Sequence, residues 1–384
     1  MNARRLGSTV SLAALVMGLT GLARSAPAQG TPPPHAASSK GPASAPWMSA
    51  TTPWGDPDLE GVWTSDAALT IPLERAPQFA GRSELSDREY EHRLTDDART
   101  RAAAENAIGS FRGDSAWLDK SFRQTSLVVA PADGRIPPLT PMAERRRAPR
   151  DQGTFGDGPF NSAEDFTLYD RCITRGIVGS VLPVIYGNGN RILQTPGAVV
   201  ISYEMVHDTR VIPLDGRPHI GARIRQYLGD SRGHWEGRTL VVETTNLTSD
   251  TSIGGNGNGV RHSADMKLIE RFTRTDRDVL RYEVTLEDPK TYTRPWRISV
   301  PLTSPAGFYL LPYECHEGNQ AVFNALSAER AEDRAVEEDG KRGVVRARRP
   351  VQELSIVQTV GADSALVPLL QAEGGDSSPA PAGR

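Results

Sequence analysis

The sequence predicts a mainly β protein, an antiparallel lipocalin-like barrel or a strongly curved sheet with N- and C-terminal helices. Three observations support this class. Segments rich in β-branched residues recur between residues 191 and 303, their apolar residues partly alternate, and Gly, Asp, Asn or Pro turns separate them. Each such strand has one well-buried face and one mixed face, an arrangement that suits a sandwich or a closed barrel.

Residues 1–28 are predicted to be a signal peptide. Two arginines precede the apolar stretch "LGSTVSLAALVMGLTGLA", and Ala26-x-Ala28 offers a cleavage site. A retained membrane anchor is the alternative, but small residues and a serine interrupt the stretch and no charged stop-transfer cluster follows it. We therefore expect a periplasmic or secreted protein without stable membrane insertion after cleavage.

The remaining chain is predicted to form a single domain between two disordered ends. Residues 29–53 are a leader rich in Pro, Ser and Ala, and residues 361–384 form a tail. Residues 54–360 are the β-rich domain with helical decorations. Its N-terminal helix is expected within residues 83–107, and its C-terminal helix in "AVFNALSAERAEDRAVEEDGK" after Asn319.

The predicted strands lie in "RILQTPGAVVISYEMVHDTRVIPLD", "RTLVVETTNL", "MKLIERFTRT", "DVLRYEVTLED" and "WRISVPLT". In the second segment Leu240 and Val242 face one way and Val241 faces the other. The stretch "TRTDRDVL" has the Asp-rich connection expected of a hairpin. "GDSRGHWEG" is interpreted as a glycine-rich turn with Ser231 as a turn residue, because a GxSxG nucleophile elbow would need a helix after it.

The two cysteines, Cys172 and Cys315, are predicted to form a disulfide, because an exported protein folds in an oxidising compartment. The stretch "YECHEGN" also places His316 beside Cys315, so a thiol nucleophile is the alternative. Adjacent residues of a strand point to opposite faces, which leaves His316 poorly placed to activate its neighbour. His316 is instead a candidate for the border of a ligand pocket.

Composition and motifs argue against nucleic-acid binding and against a cofactor. The net charge is −3, and the dense arginine run "AERRRAPR" lies in a proline-containing stretch typical of a solvated loop. No P-loop, HxH, HExxH or CxxC motif is present, so we predict neither a cofactor nor a metal. The glycine-rich stretches "GNGNR" and "GGNGNG" are interpreted as flexible loops.

Four long segments carry a family resemblance: "RILQTPGAVVISYEMVHDTRVIPLDGRPHI", "YLGDSRGHWEGRTLVVETTNL", "RHSADMKLIERFTRTDRDVLRYEVTLEDPKTYTRPW" and "YECHEGN". They resemble the successive motifs of a large family of exported proteins of environmental bacteria, generally labelled hypothetical. The resemblance covers roughly Asp56 to Arg334. It implies an exported, β-rich domain and brings no established activity.

Polar residues are concentrated in "HDTRVIPLDGRPH", "GDSRGHWEG" and "RHSADM". The candidate catalytic residues are His207, Asp215, His219 and His262, and the candidate ligand-binding residues are Tyr203, Arg210, Arg217, Trp235 and His316. A histidine beside a carboxylate can act as general base, and an arginine can hold a substrate carboxylate or an oxyanion. The alternative is structural: Asp215 and Gly216 form a hairpin turn, and the arginines pair with carboxylates at a barrel rim. His207 and His219 flank that turn and would converge across a hairpin.

Two functions of different classes follow. The first is a binding protein that holds an apolar or aromatic small molecule in the barrel, with His207, Arg210, Arg217 and His219 orienting its polar end. The second is an isomerase, lyase or hydrolase that uses a histidine of the same pocket as general acid or base. A structural or interaction protein of the envelope is a third possibility. The sequence decides neither whether the protein is an enzyme nor its oligomeric state.

Overall fold

A ten-stranded antiparallel sheet forms the framework of the protein. The computed structural model describes residues 50–96, 120–146, 160–184, 187–254 and 259–346, all in one compact unit. The predicted signal peptide and tail lie outside the described residues, as does most of the predicted leader. The leader residue Thr51 is described and forms a β-bridge with Pro57.

The strands are β1 (Gly61–Thr64), β2 (Val128–Ala130), β3 (Gly189–Thr195), β4 (Ala198–Tyr203), β5 (Thr209–Pro213), β6 (Asp230–Glu236), β7 (Thr239–Thr245), β8 (Lys267–Asp276), β9 (Val279–Glu287) and β10 (Trp296–Thr303). Their order in the sheet is β5-β4-β3-β1-β10-β9-β8-β7-β6, and β2 also pairs with β10. Short 3-10 helices span Asp66–Ala68, Pro77–Phe79, Ala163–Asp165 and Met205–His207, and α-helices span Pro141–Arg146, Gly176–Gly179 and Ala321–Lys341.

The mainly β class and all the predicted strand segments are confirmed. The predicted hairpin is also confirmed, because Arg277 and Asp278 alone connect β8 to β9. The two short strands β1 and β2 are additional to the prediction.

The interpretation of Ser231 as a turn residue is wrong, because Ser231 is a buried residue of strand β6. The strand pairs along its whole length with β7, and the turn begins only at Gly237. Close packing also explains why a glycine lies within this strand: a Cβ added at Gly233 would lie 2.9 Å from Ile212 and 2.7 Å from Leu214. The glycine therefore allows a neighbouring chain segment to approach the strand.

The alternation of side chains gives the sheet one apolar interior face. Across neighbouring strands, Leu240 lies opposite Phe272, which lies opposite Tyr282, which lies opposite Val300, and all four are buried. Removing one such side chain from water stabilises the fold by roughly 1.5–3 kcal/mol. This interior also contains polar residues, and they form the candidate site described below.

The two end strands of the sheet, β5 and β6, meet through their side chains. Ile212 of β5 and the following Leu214 pack on Gly233 of β6. The sheet therefore curves until its two end strands are in contact. Among the described residues no backbone ladder joins β5 to β6, and the sheet is open there.

The predicted C-terminal helix is confirmed as Ala321–Lys341, and none of its residues is buried. Of the predicted N-terminal helix, residues 87–96 are helical and residues 83–86 are not. Residues 97–107 lie outside the described residues. In the described ranges, no helix combines the length and the apolar character that crossing a bilayer requires.

Candidate functional site

A buried ion pair crosses the sheet interior from β5 to β8. Arg210 Nη1 lies 2.8 Å from Glu270 Oε2, and Nη2 lies 2.9 Å from Oε1. The two side chains are 2% and 0% exposed. Two parallel charge-assisted hydrogen bonds are the geometry that best offsets the cost of removing both charges from water. Burial alone would lower the pKa of Arg210, but the charge of Glu270 and its hydrogen bonds raise it above its usual value, so Arg210 stays protonated.

Two tyrosines flank this ion pair. The Tyr282 hydroxyl donates a hydrogen bond to Glu270 Oε1 at 3.1 Å. The ring of Tyr203 lies beside Arg210, with its centroid 5.9 Å from the guanidinium carbon. Burial raises the pKa of both phenols, so both stay protonated and able to donate.

Strands β6 and β7 contribute two hydroxyls to the same place. Ser231 Oγ lies 2.8 Å from Thr244 Oγ1 and 3.5 Å from Arg210 Nη1. We define the interior polar cluster as the residues that meet around the ion pair: Tyr203, Arg210, Ser231, Thr244, Glu270 and Tyr282.

Several buried polar atoms at the interior have no protein partner among the described residues: Asn190 Oδ1, Tyr203 Oη, Arg210 Nε and Trp235 Nε1. Asn190 lies directly opposite Tyr203 in the sheet. Trp235 is four residues beyond Ser231 on β6, about 13 Å along the strand. An unsatisfied buried polar group costs about 1–3 kcal/mol, so these atoms together would cost a large share of a domain's net stability. Ordered water or a bound molecule would satisfy the hydrogen-bonding capacity of these atoms.

The structure places His219 on the face of the sheet opposite to the interior polar cluster. His219 Nδ1 lies 2.8 Å from Asp230 Oδ2, and Nε2 lies 3.4 Å from Glu243 Oε1. Asp230 precedes Ser231 on β6, and successive residues of a strand point to opposite faces. His219 is thus oriented by a carboxylate but is not joined to Arg210.

The other partners of Asp230 indicate that its contact with His219 has a structural role. Its carboxylate also accepts the Ile220 backbone N–H at 3.1 Å and pairs with Arg232 Nη1 at 2.8 Å. Arg232 Nε donates to the carbonyl of Pro218 at 3.2 Å. Side chains of β6 therefore hold the loop 214–229 against the outer face of the sheet.

Asp215 and Arg217 pair with each other at the surface, with Arg217 Nε 2.6 Å from Asp215 Oδ2. The hydrogen bonds from Arg217 lower the pKa of Asp215. The proposed hairpin at Asp215 and Gly216 is not formed, because a long loop separates β5 from β6 and these strands do not pair. His207 and His219 consequently have separate partners and do not converge across a turn.

His207 lies in the connection between β4 and β5, where its Nε2 is 3.7 Å from Glu314 Oε2. Both Val206 (φ 61°) and His207 (φ 58°) adopt the left-handed backbone region. For a β-branched residue such as Val206 this conformation is an outlier that costs of order 1–3 kcal/mol. The surrounding contacts therefore determine the path of the chain here.

Two half-buried carboxyl groups lie on either side of this strained segment. Burial raises the pKa of Glu204, although the backbone N–H groups of Gly189 and Leu311 hydrogen-bond to its carboxylate at 3.0 and 3.4 Å. Burial also raises the pKa of Asp208, which accepts a hydrogen bond from the Thr174 hydroxyl.

The stretch "YECHEGN" is one half of a covalent link. Cys315 is bonded to Cys172, with the Cα atoms 5.6 Å apart, so the predicted disulfide is confirmed. Asn319 supports it by donating to the Asp170 carbonyl and to Cys172 Sγ, both at 3.1 Å. His316 is exposed, and it stays only a predicted ligand contact.

His262 is buried away from the interior polar cluster, in a network of its own. Its Nδ1 lies 2.9 Å from the Ser263 carbonyl oxygen and must carry the proton, so Nε2 accepts from the Thr251 hydroxyl. Burial lowers the pKa of His262, which is therefore neutral at pH 7.

We expect His262 to make the fold acid-sensitive. Its pKa lies below 6.5 in the folded state and near 6.5 in the unfolded state, so the unfolded chain binds more protons as the pH falls. The free energy of unfolding has its full value well above pH 6.5 and decreases as the pH falls below 6.5, with a slope of at most about 1.4 kcal/mol per pH unit for this one proton. Urea unfolding of the wild type and His262→Gln between pH 7.5 and 5 measures the effect. His234→Gln is the control, because His234 is exposed; identical pH profiles for wild type and H262Q would contradict the prediction.

No protein-family model, curated protein or solved structure matches this chain. Among the residues that the structure describes, no group of three His, Cys, Asp or Glu side chains is arranged to hold a metal ion.

Of the six residues of the interior polar cluster, the sequence analysis predicted Tyr203 and Arg210 as site residues. It missed Ser231, Thr244, Tyr282 and the charged partner, Glu270. A signal was present, because Glu270 lies between Leu268 and Phe272 in the buried phase of an alternating strand. Arg210 shares its phase with Ile212 in the same way. A charged residue at an apolar position of a strand indicates a buried ion pair.

Proposed function

We propose that this chain is an exported binding protein whose strongly curved sheet encloses a small, largely apolar molecule, as the barrel of a lipocalin does. The supporting observation is the set of unpartnered atoms of Asn190, Tyr203 and Arg210, each on a side chain at most 4% exposed. Apolar side chains of the core surround them. Small-molecule sites commonly combine apolar lining with a few polar groups that fix orientation.

Export is the location that we propose for this function. The Cys172–Cys315 disulfide is typical of proteins from oxidising compartments, and residues 1–28 have the composition of a signal peptide. We also propose that the chain belongs to the exported, β-rich family that its motifs resemble, and that it is periplasmic or secreted.

The arrangement favours binding over catalysis. The enzyme hypothesis placed a histidine in this interior as general acid or base, and none of the six residues of the interior polar cluster is a histidine. His219 has the carboxylate partner of a general base, but Asp230 uses the same carboxylate to hold the loop 214–229. His219 therefore has a structural role that explains its contacts.

Native mass spectrometry of the mature protein, expressed with its signal and purified without denaturation, tests the proposal. We expect a bound small molecule that denaturation releases. Tyr203→Phe keeps the ring and removes the hydroxyl, and we expect at least a tenfold higher Kd for the released molecule, equivalent to about 1.4 kcal/mol. The control is Tyr227→Phe, because Tyr227 is exposed. A protein that carries no molecule and binds none from a compound library would refute the binding function.

A further inference from the structure

The charge of the interior is already balanced. Glu270 contacts both terminal nitrogens of Arg210, at 2.8 and 2.9 Å, and the pair is almost completely shielded from water. An anionic ligand could pair with Arg210 only by displacing Glu270 or by leaving it as an uncompensated buried charge. Breaking a buried pair in this way costs about 3–5 kcal/mol, so it opposes the binding of an anion.

The polar atoms that remain are one nitrogen of the already paired guanidinium and two groups without charge. Arg210 Nε is the guanidinium donor that Glu270 does not use, and the Tyr203 hydroxyl stays protonated because burial raises its pKa. Asn190 Oδ1, directly across from Tyr203, is an acceptor. Its amide nitrogen already donates to the Asn188 carbonyl at 2.9 Å.

We propose, building on the binding function above, that the interior ligand is an uncharged molecule with a hydrogen-bond acceptor such as a carbonyl oxygen. Arg210 Nε and the Tyr203 hydroxyl donate to that acceptor. A hydroxyl or N–H group of the ligand, where it has one, donates to Asn190 Oδ1. The apolar part of the molecule packs against Ile201 and Ile212, which lie two residues from Tyr203 and Arg210 on the same face of β4 and β5.

The proposal assigns Glu270 a role in specificity. Its carboxylate neutralises Arg210 and so converts an arginine, which alone would attract carboxylates, into a donor for neutral molecules. Removal of the negative charge, with the size and shape of the side chain retained, should reverse this preference.

Titration calorimetry with two probes of matched size tests the assignment: acetophenone, which is a neutral ketone, and benzoate, which is an anion. We expect the wild type to bind acetophenone at least tenfold more tightly than benzoate. In Glu270→Gln we expect the benzoate affinity to rise at least tenfold. Glu236→Gln is the matched control, because it removes an exposed carboxylate that pairs with Arg271 at 2.9 Å on the outer face, and both affinities should be unchanged.

Tyr203→Phe provides a second test that does not depend on the stability of the Glu270 variant. It should weaken acetophenone binding at least fivefold. Benzoate binding that equals or exceeds acetophenone binding in the wild type would overturn the neutral-ligand assignment and leave the binding function standing. If neither probe binds, the charge of the molecule released in native mass spectrometry decides: a neutral molecule supports the assignment and an anion overturns it. A protein that releases nothing and binds nothing refutes the binding function itself.

Discussion

Replacement of Glu270 by leucine is expected to lower the free energy of unfolding by about 3–5 kcal/mol. Arg210 would then hold a positive charge in a site that is almost fully shielded from water, without its only bidentate partner. The Tyr282 hydroxyl would lose its acceptor as well. Urea unfolding followed by tryptophan fluorescence measures the loss.

The double variant Arg210→Met/Glu270→Leu separates the buried charge from the packing. Apolar side chains of similar volume can replace a buried ion pair at little cost, so we expect the double variant to recover most of the lost stability. Glu236→Leu is the control, because its pair with Arg271 is exposed to water and contributes little to stability. A Glu270→Leu loss below about 1 kcal/mol would show that the pair does not stabilise the interior.

Removal of the disulfide by Cys172→Ser and Cys315→Ser is expected to lower the free energy of unfolding by as much as about 5 kcal/mol. The bond joins residues separated by 143 positions, and a crosslink that closes so long a loop restricts the unfolded chain strongly. Guanidinium unfolding with and without reductant measures the change.

The double serine variant is its own control for the reductant, because it should show the same midpoint in both conditions. The wild type under reducing conditions should then match the variant. A wild type whose midpoint is insensitive to complete reduction would contradict the prediction and would assign the stability of this region to its non-covalent contacts. Those contacts include the hydrogen bond from Leu311 to Glu204.

The sequence predicted the long strands because their signal is local. β9 alternates apolar and polar residues from Leu280 onward, and β7 and β8 are rich in aliphatic and β-branched residues. Only two residues connect β8 to β9, whereas residues 246–266 separate β7 from β8. β1 has only four residues, and its partners β3 and β10 are distant in the chain, so nothing nearby marks it. β6 contains a Gly and a Ser among charged residues, which is the composition of a turn. Its pairing with β7 and its packing against β5 determine its conformation instead.

The candidate site was predictable in part for the same reason. Arg210 and Tyr203 were predicted as ligand-binding residues, and the structure brings them together. Their link to Glu270 could not be read from the sequence, because it spans 60 positions and depends on how the sheet curves. The predicted convergence of the histidines depended on a hairpin that the loop 214–229 replaces. Because His219 belongs to the loop 214–229 on the outer face of the sheet, it does not reach the interior polar cluster.

The position of β1 in the sheet has a consequence for how the protein folds. Strands β3 to β5 form one meander and strands β6 to β10 form another, and each is built from pairings between consecutive segments. β1 is the only strand in the described part of the chain that pairs with both meanders, with Gly61 to Thr64 against β3 and Thr64 against Thr303 of β10. Local hairpins form quickly, whereas strands that are distant in the chain pair slowly because closing the long loop between them costs conformational entropy. The two meanders can therefore form early and independently, and their union should be a late, slow step that needs both ends of the domain.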